Sequence, residues 1–144
     1  MAAERSASVV WQGDLTNGSG TIAEVPSGAF GPLDVTWASR AEEANGRTSP
    51  EELIAAAWAS CFAMSLSGRL AREGNPPEKL ETSATVTFQP GEGLTKGVLS
   101  VRGTVPGMDE AAFKDAAEGA KDNCPVSKAL AGIRDVTLEA SLAG

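Results

Sequence analysis

Residues 48–70 read TSPEELIAAAWASCFAMSLSGRL, and the reading of this stretch decides the fold. Ser49 is placed to cap a helix, Pro50 suits its first position, and Glu52 stands three residues after the cap. Ser-x-x-Glu ahead of an apolar run is a capping box, and Glu51 and Glu52 both favour the positive end of the helix dipole. Across residues 53–66 nearly every side chain is apolar or small and none is charged. No face is polar enough to meet water, so the helix is predicted to be buried on all sides. The uncharged run is shorter than the ~18 residues that suggest a membrane span. Gly68 interrupts it, and Gly74 offers a C-terminal stop. The prediction is one central helix over residues 50–73, with Cys61 in its third turn.

On the N-terminal side, residues 7–11 and 21–25 are β-prone and are separated by Gly18-Ser19-Gly20, which suggests a hairpin. Residues 33–39 place Leu33, Val35 and Trp37 on one face against Asp34 and Thr36, the pattern of a half-buried strand with Arg40 at its end. A polar loop, residues 41–47, leads to the central helix. Beyond that helix, Asn75-Pro76-Pro77 makes a break. Residues 82–88 alternate Ala84, Val86 and Phe88 against Ser83, Thr85 and Thr87, and residues 98–105 read as the antiparallel return strand. Asp109 can cap a second helix to about residue 121, Cys124-Pro125 opens a short helix to residue 130, and residues 136–142 form a last strand. The order predicts an antiparallel α+β fold in a single domain, 1–144. A helix apolar on every side needs more cover than one small sheet provides. The small residues Ala55, Ala56, Ala57, Ala59, Ser60 and Ala63 would admit a second helix, so a homodimer is the economical solution.

Composition narrows the chemistry. A net charge of −7, with no dense Lys/Arg run, argues against nucleic-acid binding. The first residues, MAAERSASVVWQGD, lack the long apolar region of a secretory signal, which makes the cytoplasm the expected compartment, with neither a membrane partner nor structural disulfides. The chain has no histidine and no tyrosine. Cys-His and Ser-His-Asp catalysis are thereby excluded, and two cysteines 63 positions apart make neither a metal site nor a C-x-x-C motif. Any thiol chemistry must draw on a cation, a helix dipole or a local hydrogen bond.

On its own helix Cys61 reads as a small buried hydrophobe. It lies too far from the helix start to gain from the dipole, and apolar surroundings raise a thiol pKa. Its activation would need a cation, for which Arg40 is best placed and Arg47, Arg69 and Arg72 are the other neighbours in sequence. Cys124 is the opposite case. Just before Pro125 it occupies an N-cap position facing free N–H groups, so by local physics it is the more easily ionised thiol. A half-buried helix-start residue is the plainer reading of it.

Three passages carry a resemblance. They are Thr48 to Phe62 through Glu51 and Cys61; Asn123-Cys124-Pro125-Val126-Ser127 with Leu130; and Trp11-Gln12-Gly13-Asp14 with residues 18–21. In these the chain resembles the OsmC/Ohr family of osmotically inducible and organic-hydroperoxide-resistance proteins, over essentially its whole length. The resemblance implies a cysteine-based peroxidase of the oxidative stress response that reduces organic hydroperoxides and hydrogen peroxide without metal, haem or flavin. Carried across, Cys61 matches the peroxidatic thiol, Cys124 the resolving thiol, Glu51 a carboxylate that orients an arginine, and Arg40 that arginine in the OsmC-like branch. The Ohr-branch arginine would fall near Gly18 or Ser19. The implied fold is an intertwined homodimer, its antiparallel sheets wrapped around long central helices and its active sites at the interface. The implied reductant of the Cys61–Cys124 disulfide is an external dithiol. Trp58, Phe62, Met64 and Trp37 are candidate apolar walls for the substrate, with core packing as their alternative role. Two other readings stay open: a peroxide-sensing or dithiol-disulfide exchange protein led by Cys124, and a carrier of a small apolar ligand with both cysteines structural.

Overall fold

Short β-prone runs between glycine turns build the start of the chain. In the computed structural model, which describes residues 1–143, strands β1 (Val9–Gln12), β2 (Ser19–Ile22) and β3 (Leu33–Val35) form an antiparallel sheet in that order. They belong to the first of two compact units, Met1–Leu53; the second is Ile54–Gly144. Gly20 stands opposite both Trp11 and Val35. A Cβ there would lie 2.7 Å from Trp11 Cε3 and 2.9 Å from Val35 Cγ2, so glycine is what allows those side chains to close over β2.

The third strand is shorter than its alternation predicts. Thr36 caps a five-residue helix, α1 (Trp37–Ala41). Its hydroxyl accepts from the Ser39 N–H at 3.0 Å, and the Thr36 N–H donates to Ser39 Oγ at 2.9 Å. This Thr-x-x-Ser capping box satisfies two backbone donors that continued alternation would have left to a strand partner. Trp37 and Arg40 therefore lie on a helix, not on a strand as predicted.

Helix α2 (Pro50–Arg72) begins as the sequence implies, with the Glu52 N–H donating to Ser49 Oγ at 3.1 Å. The reciprocal half of that capping box is replaced. The Glu52 carboxylate accepts from the Thr48 hydroxyl at 2.8 Å.

In the second unit, α2 lays a row of Trp58, Phe62, Leu66 and Leu70, spaced four apart, into the core. Facing that row are strands β4 (Lys79–Gln89), β5 (Gly93–Thr104) and β6 (Asp135–Leu142) and helix α3 (Glu110–Asn123), which contribute Leu99, Val101, Phe113, Ala116, Ala117 and Ala120. Burying each large member of such a row is worth ~1.5–3 kcal/mol. The Thr82 hydroxyl donates to the Ala59 carbonyl and the Ser65 hydroxyl to the Ala120 carbonyl, both at 3.1 Å, pinning α2 to β4 and α3. Asp109 caps α3 as expected, accepting the Ala112 N–H at 2.8 Å.

The sheet order is β4-β5-β6. The β4–β5 pairing is the predicted antiparallel hairpin, but β6 runs parallel to β5, with Leu138 opposite Leu99. The crossover through α3 and the short helix α4 (Pro125–Ala129) supplies the length that a parallel return requires. The class is α+β as predicted, with one pairing that departs from the antiparallel expectation.

The prediction that α2 is covered on all sides holds for one side of the single chain. Ala56, Ala57, Ser60 and Met64 are exposed, Met64 to 75 %. By length and composition alone α2 could cross a membrane, with a mean hydropathy of 1.3 over 18 residues; its large apolar row is nonetheless spent in the protein's own core.

Candidate active site

Two clusters hold the candidate residues, one in each unit. In the first unit, the loop after α1 is tied back to the sheet, with the Thr48 N–H donating to the Asp34 carbonyl at 3.1 Å and Ser39 Oγ lying 2.9 Å from the Thr48 carbonyl oxygen. This brings the last turn of α1 against the first turn of α2. Arg40 Nε donates to Glu51 Oε1 at 3.0 Å and Arg40 Nη2 to Glu51 Oε2 at 2.9 Å. The fork is two-pronged, a geometry a lysine could not reproduce. Glu51 is only 7 % exposed, whereas the Arg40 side chain keeps 32 % of its surface. Of the two arginines that flank this loop, Arg40 makes this contact and Arg47 lies in the exposed segment before α2.

The second unit brings the two cysteines together. Cys61 lies on α2, half-buried, one residue before Phe62. Cys124 ends α3 and begins α4: its N–H donates to the Lys121 carbonyl at 3.3 Å, and its carbonyl accepts the Lys128 N–H at 3.0 Å. Both cysteines are free thiols, and their sulfurs stand 3.1 Å apart. Cys124 is wholly enclosed, at 0 % exposure.

Their acidities diverge. Burial pushes the Cys61 thiol up, the Val126 backbone N–H opposes this, and the neighbouring Cys124 raises it further. Burial acts on Cys124 in the same direction but is outweighed there, because the Ser127 backbone N–H, the Cys61 thiol, the Ser127 hydroxyl and the Val126 N–H all favour its thiolate. No side-chain hydrogen bond closes the cap of α4; the sulfur simply faces the free N–H groups of the turn. Within the chain these contacts lower the Cys124 thiol and leave Cys61 raised. That is the order expected from its place at a helix start.

The four candidate wall residues part ways. Trp58 and Phe62 are fully buried in the core of the second unit. Met64 faces outward on α2, and Trp37 is half-buried on α1. Arg69, one of the other cations near Cys61 in sequence, pairs with Glu73 at 3.0 Å and lies over Gly119 of α3.

Sequence reasoning did not assign a role to Ser127, whose hydroxyl accepts from Trp58 Nε1 at 2.8 Å. The signals were its place in the Asn123–Ser127 passage and its position three residues after Cys124, where N–H and hydroxyl groups at a helix start converge on the cap residue. Among the described residues no group of three or more His, Cys, Asp or Glu side chains could hold a metal ion.

Comparison with known proteins gives the family and the fold. A family model described as OsmC-like protein matches residues 43–139. The chain is 37 % identical over 135 residues to the peroxiredoxin OsmC of Escherichia coli strain K12, covering 92 % of each chain. It is 35 % identical over 104 residues to the organic hydroperoxide resistance protein OhrA of Bacillus subtilis, covering 69 % of this chain and 72 % of that one. Among solved structures, an organic hydroperoxide resistance protein OsmC from Legionella pneumophila shares the fold with a TM-score of 0.69 at 21 % identity, over 99 % of this chain and 100 % of that one. The OhrB protein of Bacillus subtilis does so with a TM-score of 0.65 at 23 % identity, over 96 % and 98 %.

Proposed function

Because the chain belongs to the OsmC-like family, we propose that it is a thiol-dependent peroxidase that reduces organic hydroperoxides, and hydrogen peroxide, through Cys61 and Cys124. The observation that carries this reading is the 3.1 Å approach of two free sulfurs that differ in access, Cys61 half-open and Cys124 enclosed. Peroxide meets the open sulfur. The Cys61 thiolate attacks one peroxide oxygen, the O–O bond breaks, and the alkoxide leaves as alcohol after taking a proton. Cys61 is then a sulfenic acid, oxidised by two electrons. The Cys124 sulfur bonds to it, the S–O bond breaks, and water departs. An external dithiol reduces the disulfide and is itself oxidised.

The ionisation order within one chain would favour Cys124 as the leading sulfur, as a dithiol-exchange protein requires, but its enclosure keeps a hydroperoxide away. Cys61 therefore needs a cation, and the Glu51-anchored guanidinium of Arg40 is suited to it: it would stabilise the thiolate and hydrogen-bond the peroxide. In this reading the pair serves the Cys61 of a second protomer. The uncharged exposed face of α2, with Ala56, Ala57, Ser60 and Met64, supports such a homodimer. Met64, one turn beyond Cys61, and Trp37 are left as apolar contacts for an alkyl hydroperoxide, since Trp58 and Phe62 are spent in the core. The compartment is the reducing cytoplasm, where the dithiol partner is available.

The test is a mass measurement after one equivalent of an organic hydroperoxide. Wild type should lose two hydrogens as the disulfide, Cys124→Ser should gain one oxygen, and Cys61→Ser should stay unmodified at the same peroxide dose. Full turnover by Cys61→Ser would sink the reading.

A further inference from the structure

Trp58 precedes Cys61 by three residues on α2, and its ring is enclosed in the core at 1 % exposure. Gly97 on β5 makes room for it: a Cβ there would stand 2.5 Å from Trp58 Cη2 and 2.6 Å from Cζ3. So seated, the indole directs Nε1–H to Ser127 Oγ at 2.8 Å. A buried indole N–H needs an acceptor. The acceptor here belongs to α4, whose cap residue is Cys124. By accepting from the indole, the Ser127 oxygen leaves its own proton for another acceptor, and both the hydroxyl and the N–H of Ser127 favour the Cys124 thiolate. Helix α2 thus carries one sulfur of the pair and, one turn earlier, the strut that holds the turn bearing the other.

We propose that Trp58, acting through Ser127, is a positioning residue for the resolving step, fixing the 124–127 turn so that the Cys124 sulfur is held against Cys61. The proposal rests on the peroxidatic and resolving assignment above. In that step the Cys124 sulfur forms the S–S bond, the Cys61 S–O bond breaks, and hydroxide leaves as water. The geometry of attack on the S–O bond is set by the Cys124 side, so the strut bears chiefly on this step; on the attack of Cys61 on peroxide, whose sulfur is carried by α2 itself, it acts only through the Val126 N–H that favours the Cys61 thiolate.

The experiment uses Trp58→Phe, which keeps an aromatic ring without the donor, and Ser127→Ala. Reduced protein is mixed with one equivalent of tert-butyl hydroperoxide, and sulfenic acid and disulfide are followed by quenched-flow mass spectrometry. Sulfenic acid should form within about twofold of the wild-type rate, while disulfide formation should slow by about tenfold or more, as misplacement of a reacting group does. The double variant should be no slower than the slower single variant, because both substitutions cut one contact. Ser127→Thr, which keeps the hydroxyl, should restore the rate. In a Cys61→Ser background, the ultraviolet thiolate absorbance of Cys124 should titrate at higher pH in both variants.

Unchanged disulfide rates, equal slowing of both steps, or multiplying effects in the double variant would each overturn the proposal. Should Trp58→Phe fail to fold, Ser127→Ala decides alone. If wild type forms neither sulfenic acid nor disulfide, the peroxidase reading fails. The thiolate titration in Cys61→Ser then still decides the strut, and an unshifted titration overturns it.

Discussion

Arg40 and Glu51 are joined by two parallel hydrogen bonds, of 3.0 and 2.9 Å, that lock the last turn of α1 to the first turn of α2. Removing the cation leaves a carboxylate that is 7 % exposed without its counter-charge. Arg40→Met should therefore destabilise the fold by about 1–3 kcal/mol, the cost of an unsatisfied buried acceptor. Arg40→Lys should recover part of this, since it restores charge but not the fork. Denaturant unfolding checks it; an unchanged midpoint in Arg40→Met would mean that the pair contributes nothing.

The same substitution has a pH signature. On the proposed activation Arg40 supplies the cation for a thiol that burial and Cys124 push up and that only the Val126 N–H favours as thiolate within the chain. A raised pKa means the thiol form dominates at neutrality, so peroxide consumption by Arg40→Met should be low there and climb about tenfold per pH unit on the alkaline side. Wild type should be nearly flat over the same range. Parallel profiles would remove Arg40 from the activation of Cys61.

Gly97 offers a test from the other side of the indole. Gly97→Ala places a Cβ 2.5 Å from Trp58, within contact distance, and the ring has to move. The expected cost is about 1–3 kcal/mol of stability, as for other overpacked cores. Because the ring carries the Ser127 contact, disulfide formation should slow as well. A variant as stable as wild type with an unaltered rate would show that the ring shifts without consequence.

Met64 tests assembly. A charge placed at this 75 % exposed position costs a monomer almost nothing, whereas in a helix-to-helix interface it would be buried unpaired. Met64→Glu should move the protein from dimer to monomer in sedimentation at micromolar concentration, and activity should fall with it. A monomeric wild type, or an undisturbed dimer in the variant, would count against α2 as the contact.

The central helix was legible because its signals agree: a cap, a proline at the first position, and a long uncharged run. So were the β4–β5 hairpin, where alternation is clean, and the cap of α3 at Asp109. The end of β3 was not, because Leu33, Val35 and Trp37 fit period two equally well whether or not the chain turns helical at Thr36; only the pairing of Thr36 with Ser39 settles it. Nor was the parallel pairing of β6, which depends on where the crossover sets the strand down and not on the strand's own residues. In the site, Cys124 stood out by its helix-start position, whereas the roles expected of Cys61, Arg40 and Glu51 came from the family resemblance and not from a local signal. The bond between Trp58 and Ser127, 69 positions apart, left no local trace.

Cys124 closes α3 and opens α4 within a single residue, and its sulfur already lies 3.1 Å from its partner. A covalent S–S bond is about 2.05 Å, so joining the two requires only about 1 Å of travel. Rotation of two side chains can absorb that, with both helices left wound. The proposed disulfide would then form with the turn around Cys124 unchanged. On the proposed chemistry, the pair would pass between its two states without a helix having to unfold and refold each time.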